Sequence, residues 1–207
     1  MIIDFARRLC IFTPPACATH TLHELLCAPP YGAQSVFGPS CGNLERLDRH
    51  TCLTPVEAEG FHRIACIRHP YGRAVSLYLH DCRWRSGQGL PCESWRDWFE
   101  RLAAGKNPDR FFAWSIPAHF GGPGKMPARR IRVESLHNDL RGLGYQLPAE
   151  LRLPVANRSH YTRPVTAGQP DWSSWYGPAA DPGVVPLGLA ASLLDDETRQ
   201  LGYELPL

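Results

Sequence analysis

The stretch Ile64-Ala65-Cys66-Ile67-Arg68-His69-Pro70-Tyr71-Gly72-Arg73-Ala74-Val75-Ser76-Leu77-Tyr78 decides the fold class. Its opening apolar run has the character of a buried strand, and the run stops at Arg68. Pro70 lacks a backbone N–H and fixes its own φ, so the strand cannot continue through it. Arg73, Ser76 and Tyr78 then follow in an Arg-x-x-Ser-x-Tyr order that opens a helix. A strand that delivers Arg68 to its carboxyl end and Ser76 to the next helix suits a phosphate. Arginine offers a planar, permanently charged fork, and serine adds a small neutral donor.

Working outward, a strand is expected at Leu9-Cys10-Ile11-Phe12-Thr13, then a tight loop Pro14-Pro15-Ala16-Cys17-Ala18-Thr19, then a helix from His20 to Cys27. Residues 28–44 carry Pro29, Pro30, Gly32, Gly38, Pro39 and Gly42 and read as a loop. A short segment at Leu47–Leu53 precedes a helix start in which Thr54 is the N-cap, Pro55 takes N1 and Glu57 takes N3. Beyond the central stretch, Ser94 to Ala104 is an amphipathic helix whose Trp95, Trp98 and Phe99 stripe serves packing. Residues 105–128 read as irregular, Ile131-Arg132-Val133-Glu134 as a buried strand, and Leu136–Leu143 as a helix ended by Gly144. Residues 151–188 wrap the site, and a last helix runs from Leu189 to Leu201. Strands alternating with helices predict one α/β domain over residues 1–207, with a central parallel sheet flanked by helices.

The composition agrees with a globular chain: of 207 residues, 43% are hydrophobic and 20% charged. A net charge of +2 decides nothing about nucleic acid or membrane partners. Of the 22 basic residues only Lys106 and Lys125 are lysine, a bias that goes with GC-rich coding and a bacterial source. No apolar run reaches the roughly 18 residues a membrane span needs. The N-terminus lacks the basic, apolar, small-residue order of a signal peptide, so a cytoplasmic chain without a transmembrane segment is expected. Its eight cysteines (10, 17, 27, 41, 52, 66, 82, 92) contain no C-x-x-C pair and read as reduced and mostly buried, with no metal site.

The first strand–loop–helix is a second constellation. A loop that enters a helix N-terminus presents backbone N–H groups and the positive end of the helix dipole to an anion. Thr19 and Thr21 add hydroxyls. It is not the Gly-rich nucleotide loop, because G-x-x-x-x-G-K-[ST] is absent from the chain.

Both constellations resemble the sulfotransferases that use 3′-phosphoadenosine-5′-phosphosulfate (PAPS), in particular their carbohydrate branch. The central stretch fills the family's V-R-N/H-P-Y-x-R-x-x-S-x-Y pattern for the 3′-phosphate. The segment Pro15-Ala16-Cys17-Ala18-Thr19-His20-Thr21-Leu22 is similar to its 5′-phosphosulfate loop. Supporting likenesses are Ile131–Leu140, Asn157-Arg158-Ser159 and the closing Asp195–Tyr203. The resemblance implies a P-loop-like sulfotransferase fold and binding of PAPS, or of the product PAP. The nucleotide's ligands would be Pro15, Ala16, Cys17, Ala18, Thr19, His20, Thr21, Arg68, Ser76 and Arg158. It also implies transfer of a sulfuryl group to the hydroxyl of a glycan or glycolipid, without a metal.

The family's loop lysine is Ala16 here, or Pro15 if the alignment shifts by one residue. Loss of such a positioned cation costs on the order of 10²–10³ in rate. Arg158 is the candidate substitute, and a non-catalytic nucleotide-binding protein is the alternative. A P-loop kinase would share the sheet but lacks its loop here. The acceptor also needs a base, for which His50, His20 and Glu24 are the candidates. Glu134 and His69 read as structural.

Overall fold

A computed structural model describes residues 1–35, 58–106, 115–147 and 172–206. In chain order its strands and α-helices are β1 (Ile2–Asp4), β2 (Leu9–Phe12), α1 (Thr19–Leu26), β3 (Gln34–Ser35), β4 (His62–Ile67), α2 (Pro70–Gly87), α3 (Trp95–Ala103), α4 (Ile116–His119), β5 (Arg129–Arg132), α5 (Leu136–Gly142), β6 (Tyr176–Gly177), β7 (Val185–Pro186) and α6 (Leu187–Leu201). The chain divides into two compact units, 1–68 with 116–158 and 69–115 with 159–207. Each is described by itself.

The first unit is α/β, built on a five-stranded sheet of order β3-β1-β2-β4-β5. Strands β2, β4 and β5 are parallel, with Ile11 opposite Ile64 and Cys66 opposite Ile131. The predicted central parallel sheet holds for β2, β4 and β5, but β1 pairs antiparallel with both β2 and β3, so the sheet as a whole is mixed. β1 is only three residues long and turns into β2 through Phe5–Arg8, with Arg8 at φ 54 in place of the usual hairpin glycine. Neither the short strand nor this turn carries a strong local signature.

Strand β5 starts and ends two residues earlier than the sequence suggests. At the sheet edge only Ile131 is buried, and Arg129 and Arg132 are exposed; such edge charges discourage pairing with another chain. The core takes Ile2, Ile11, Phe12, Leu22, Leu26, Ile64, Ile67 and Leu140. At the end of β1, the buried Asp4 carboxylate accepts from Arg7 N at 2.9 Å, Arg7 Nη1 at 3.0 Å and the Tyr145 hydroxyl at 2.8 Å. A buried carboxylate is tolerable only when its oxygens are matched in this way.

In the second unit, α2, α3 and α6 pack with the two-stranded β6–β7 pair. The Trp95, Trp98, Phe99 stripe is core: Trp98 and Phe99 are fully buried, and the Trp95 indole N–H donates to the Trp175 carbonyl at 2.7 Å. Ser94 caps α3 by accepting from Asp97 N, and α6 ends at Gly202 with φ 74, where a left-handed cap needs no Cβ.

The cysteines depart from their expected state at one pair. Cys82 and Cys92 are joined in a disulfide, while Cys10, Cys17, Cys27 and Cys66 are thiols. The segment Leu47–Leu53, the helix start at Thr54, His50 and Arg158 lie outside the described residues. Among the described residues no helix is long and apolar enough to cross a membrane.

Candidate functional site

In an open sheet with parallel strands, ligands bind outside the strands' carboxyl ends. At that edge of the first unit, β2 runs out into Thr13, β4 into Arg68 and β5 into Val133. The turn after β2 is forced by Pro14 and Pro15 and closed by Cys17 N donating to the Pro14 carbonyl at 3.1 Å. Within it Ala16 has φ 61 and Ala18 φ 55. A left-handed conformation costs an L-residue roughly 1–2 kcal/mol, so two such alanines mark a backbone held in place by its surroundings. Backbone that alternates left-handed residues with others turns successive N–H groups into one concavity, an arrangement that suits anions.

Helix α1 starts directly from this turn. Its N-cap is Ala18, without a side-chain cap hydrogen bond, and its first turn has no acidic residue. No acidic residue of that first turn offsets the positive end of the helix. Thr19 is buried, with its hydroxyl 3.5 Å from the Thr13 carbonyl; Thr21 is half-buried, and His20 and Glu24 are exposed. His20 and Glu24 are four residues apart, so they share one side of α1.

Arg68 closes the arrangement. It is half-buried, and its Nη1 donates to the Ala16 carbonyl oxygen at 3.4 Å. The permanent charge of the β4 motif thus reaches the backbone of the residue that stands where the loop lysine is expected. The neighbouring Cys66 thiol is pushed well above its ordinary range, chiefly by burial and then by Cys17, Glu134 and Asp139, with Arg68 opposing. A buried thiol held neutral is not a nucleophile. Cys17 is likewise fully buried, so it contributes its backbone and not its sulfur to the turn.

The remaining motif residues belong to the second unit. Ser76 is half-buried on α2. Arg73 is almost fully buried beside Glu197 at 3.8 Å, a packing role that the sequence pattern does not separate from that of Arg68. His69 is structural: its Nε2 lies 3.0 Å from the Glu204 carbonyl and its ring packs on Trp172 at 4.5 Å.

Glu134, read from the sequence as structural, lies beyond the end of β5 in the 3-10 turn Val133–Ser135. It is exposed just past the end of β5, where Asp139 ties the turn by accepting from Arg132 N at 2.6 Å and the Ser135 hydroxyl at 2.9 Å. A shallow depression lined by Arg141, Gly144, Tyr145, Gln146 and Leu147 lies elsewhere. Tyr145 bonds Asp4, which pairs with Leu9 at the amino end of β2, opposite the loop. Among the described residues no group of three or more His, Cys, Asp or Glu side chains is placed to hold a metal ion.

No family model, no curated protein sequence and no solved structure matches this chain. The proposal below therefore rests on the residues, their geometry and the motif resemblance.

Proposed function

We propose that the chain binds PAPS and transfers its sulfuryl group to an acceptor hydroxyl, of a glycan or glycolipid, in a cytoplasmic setting. The observation that carries this reading is the contact of Arg68 with Ala16. It joins the strand-end arginine of one motif to the anion-ready turn of the other, at the carboxyl edge of adjacent parallel strands. Arg68 serves the 3′-phosphate in this reading, with Ser76 assigned to it by the resemblance. The turn at Pro15–Ala18 and the start of α1 serve the 5′-phosphosulfate.

The chemistry is an in-line displacement: the acceptor oxygen bonds to sulfur, the bond from sulfur to the 5′-phosphate oxygen breaks, and PAP leaves. His20 and Glu24 are exposed on the helix that follows the turn and are the described candidates to take the acceptor proton.

Ala16 supports a second reading, a PAP-binding protein with little or no turnover, because the loop side chain brings no cation. The decisive experiment is thermal denaturation with PAP and with adenosine diphosphate. PAP raises Tm, the diphosphate does less, and Arg68→Ala and Ser76→Ala shrink the PAP shift. Equal stabilisation by both nucleotides would sink the proposal. Sulfuryl transfer from labelled PAPS by the unmodified chain excludes the second reading.

A further inference from the structure

Cys82 and Cys92 lie in the second unit, far along the chain from the candidate loop, and the nucleotide reading does not use them. Their Cα atoms are 5.0 Å apart, within the span a disulfide requires. The two residues differ in access: Cys82, on α2, is 8% exposed, whereas Cys92, just before α3, is exposed. The corner they join is also held without them. The Tyr78 hydroxyl donates to the Glu93 carbonyl at 2.8 Å, and Glu93 is ion-paired with Arg101 on α3. The same Tyr78 oxygen lies 3.7 Å from Cys92 Sγ, so a reduced Cys92 has a hydroxyl partner within reach. The corner therefore has contacts to keep its shape in either state, and one of its sulfurs is open to a small thiol.

We propose that Cys82 and Cys92 form a reversible redox pair, entered at Cys92 by a low-molecular-weight thiol or disulfide such as glutathione. In oxidation the Cys92 thiolate attacks glutathione disulfide and releases one glutathione thiolate. The Cys82 thiolate then attacks Cys92 Sγ in the mixed disulfide, forming the internal bond and releasing the second glutathione. Both cysteine protons pass to solvent, two electrons pass to the oxidant, and reduction runs the same steps backwards. Exchange of this kind needs an accessible sulfur, which Cys92 supplies and Cys82 does not.

The test equilibrates the full chain in glutathione buffers from fully reduced to fully oxidised, with acid quenching, alkylation and peptide mapping of every cysteine. The expected result is a graded conversion of Cys82 and Cys92 from dithiol to disulfide within that series. Closing so short a loop raises Tm by about 5–10 °C for a chain of this length. Cys82→Ser should accumulate glutathione on Cys92, and Cys92→Ser should leave Cys82 unmodified in the native chain. The double variant should melt like the reduced protein in every buffer. A bond that survives millimolar reduced glutathione, a pair that never oxidises, or equal labelling of the two single variants overturns the proposal. None of these readouts involves the nucleotide, so the pair stands or falls apart from the sulfotransferase reading.

Discussion

Arg68 and Ala16 are 52 positions apart in sequence, yet the Arg68 guanidinium donates to the Ala16 carbonyl oxygen at 3.4 Å. Hydrogen bonds to a charged group contribute about 1.5–3 kcal/mol, so Arg68→Ala should weaken PAP binding roughly 10- to 100-fold. Arg68→Lys keeps the charge but loses the planar fork, and it should restore only part of that affinity. Calorimetric titration with PAP checks both variants. An Arg68→Ala affinity within twofold of the parent removes Arg68 from the site.

Ala16 and Ala18 make opposite demands on an engineer. Ala16→Lys returns a cation to the turn at no new backbone cost, since the site is already left-handed. It should raise labelled sulfuryl transfer by roughly 10²–10³ over the parent while leaving Tm nearly unchanged. Ala18→Gly relieves a left-handed alanine and should stabilise the chain by about 0.5–1 kcal/mol, after the extra chain entropy of glycine is subtracted. A drop in Tm for Ala18→Gly would show that the turn does not hold the conformation described above.

Gly72 reverses a common rule. Replacing a glycine inside a helix with alanine ordinarily stabilises it by about 0.5–1 kcal/mol. Here the added Cβ would sit 2.7 Å from Trp172 Cδ1, and that ring is itself packed on His69 and Tyr71. Gly72→Ala is therefore expected to destabilise by about 1–2 kcal/mol net, read as a lower urea midpoint at unchanged m-value. A higher midpoint would mean that Trp172 moves aside freely.

Part of the alkaline stability follows from two thiols, beside the buried Cys66, Tyr71, Tyr145 and Tyr176, whose values burial also raises. Burial pushes Cys10 up to about 12 and Cys27 up to about 11, from an ordinary value of 9.0. Both groups stay protonated in the folded chain while they ionise in the unfolded one. Their contribution is therefore fully present below pH 9 and is lost as pH rises from 9 toward 11–12. The loss is at most about 1.4 kcal/mol per thiol for each pH unit in that window, and less for the partly exposed Cys27. Urea denaturation at about pH 8, 9.5 and 10.5 measures it. The Cys10→Ala, Cys27→Ala double variant should show a shallower alkaline fall, and an identical fall would assign it to other groups.

Much of the local structure was legible in the chain. The apolar run before Arg68 became β4, Pro70 took the first position of α2, Ser94 capped α3, and Gly202 ended α6. Each depends on sterics or hydrogen bonds acting within a few residues, so the amino acids themselves specify it. The turn at Pro14–Ala18 was legible in the same way, although alanine at two left-handed positions is not what composition suggests. Glu134 was visible as a residue but its exposure was not, because exposure at a strand end depends on which strands lie beside it.

The sequence by itself therefore determined the alternation of strands and helices and the turns that stop them. Only the tertiary structure decided the antiparallel β1, the edge position of the arginine-rich β5, the Arg68–Ala16 contact and the Cys82–Cys92 bond. The physical reason is range. Propensity and capping act along the chain, whereas strand order, burial and contacts through space are set when distant segments compete for the same core.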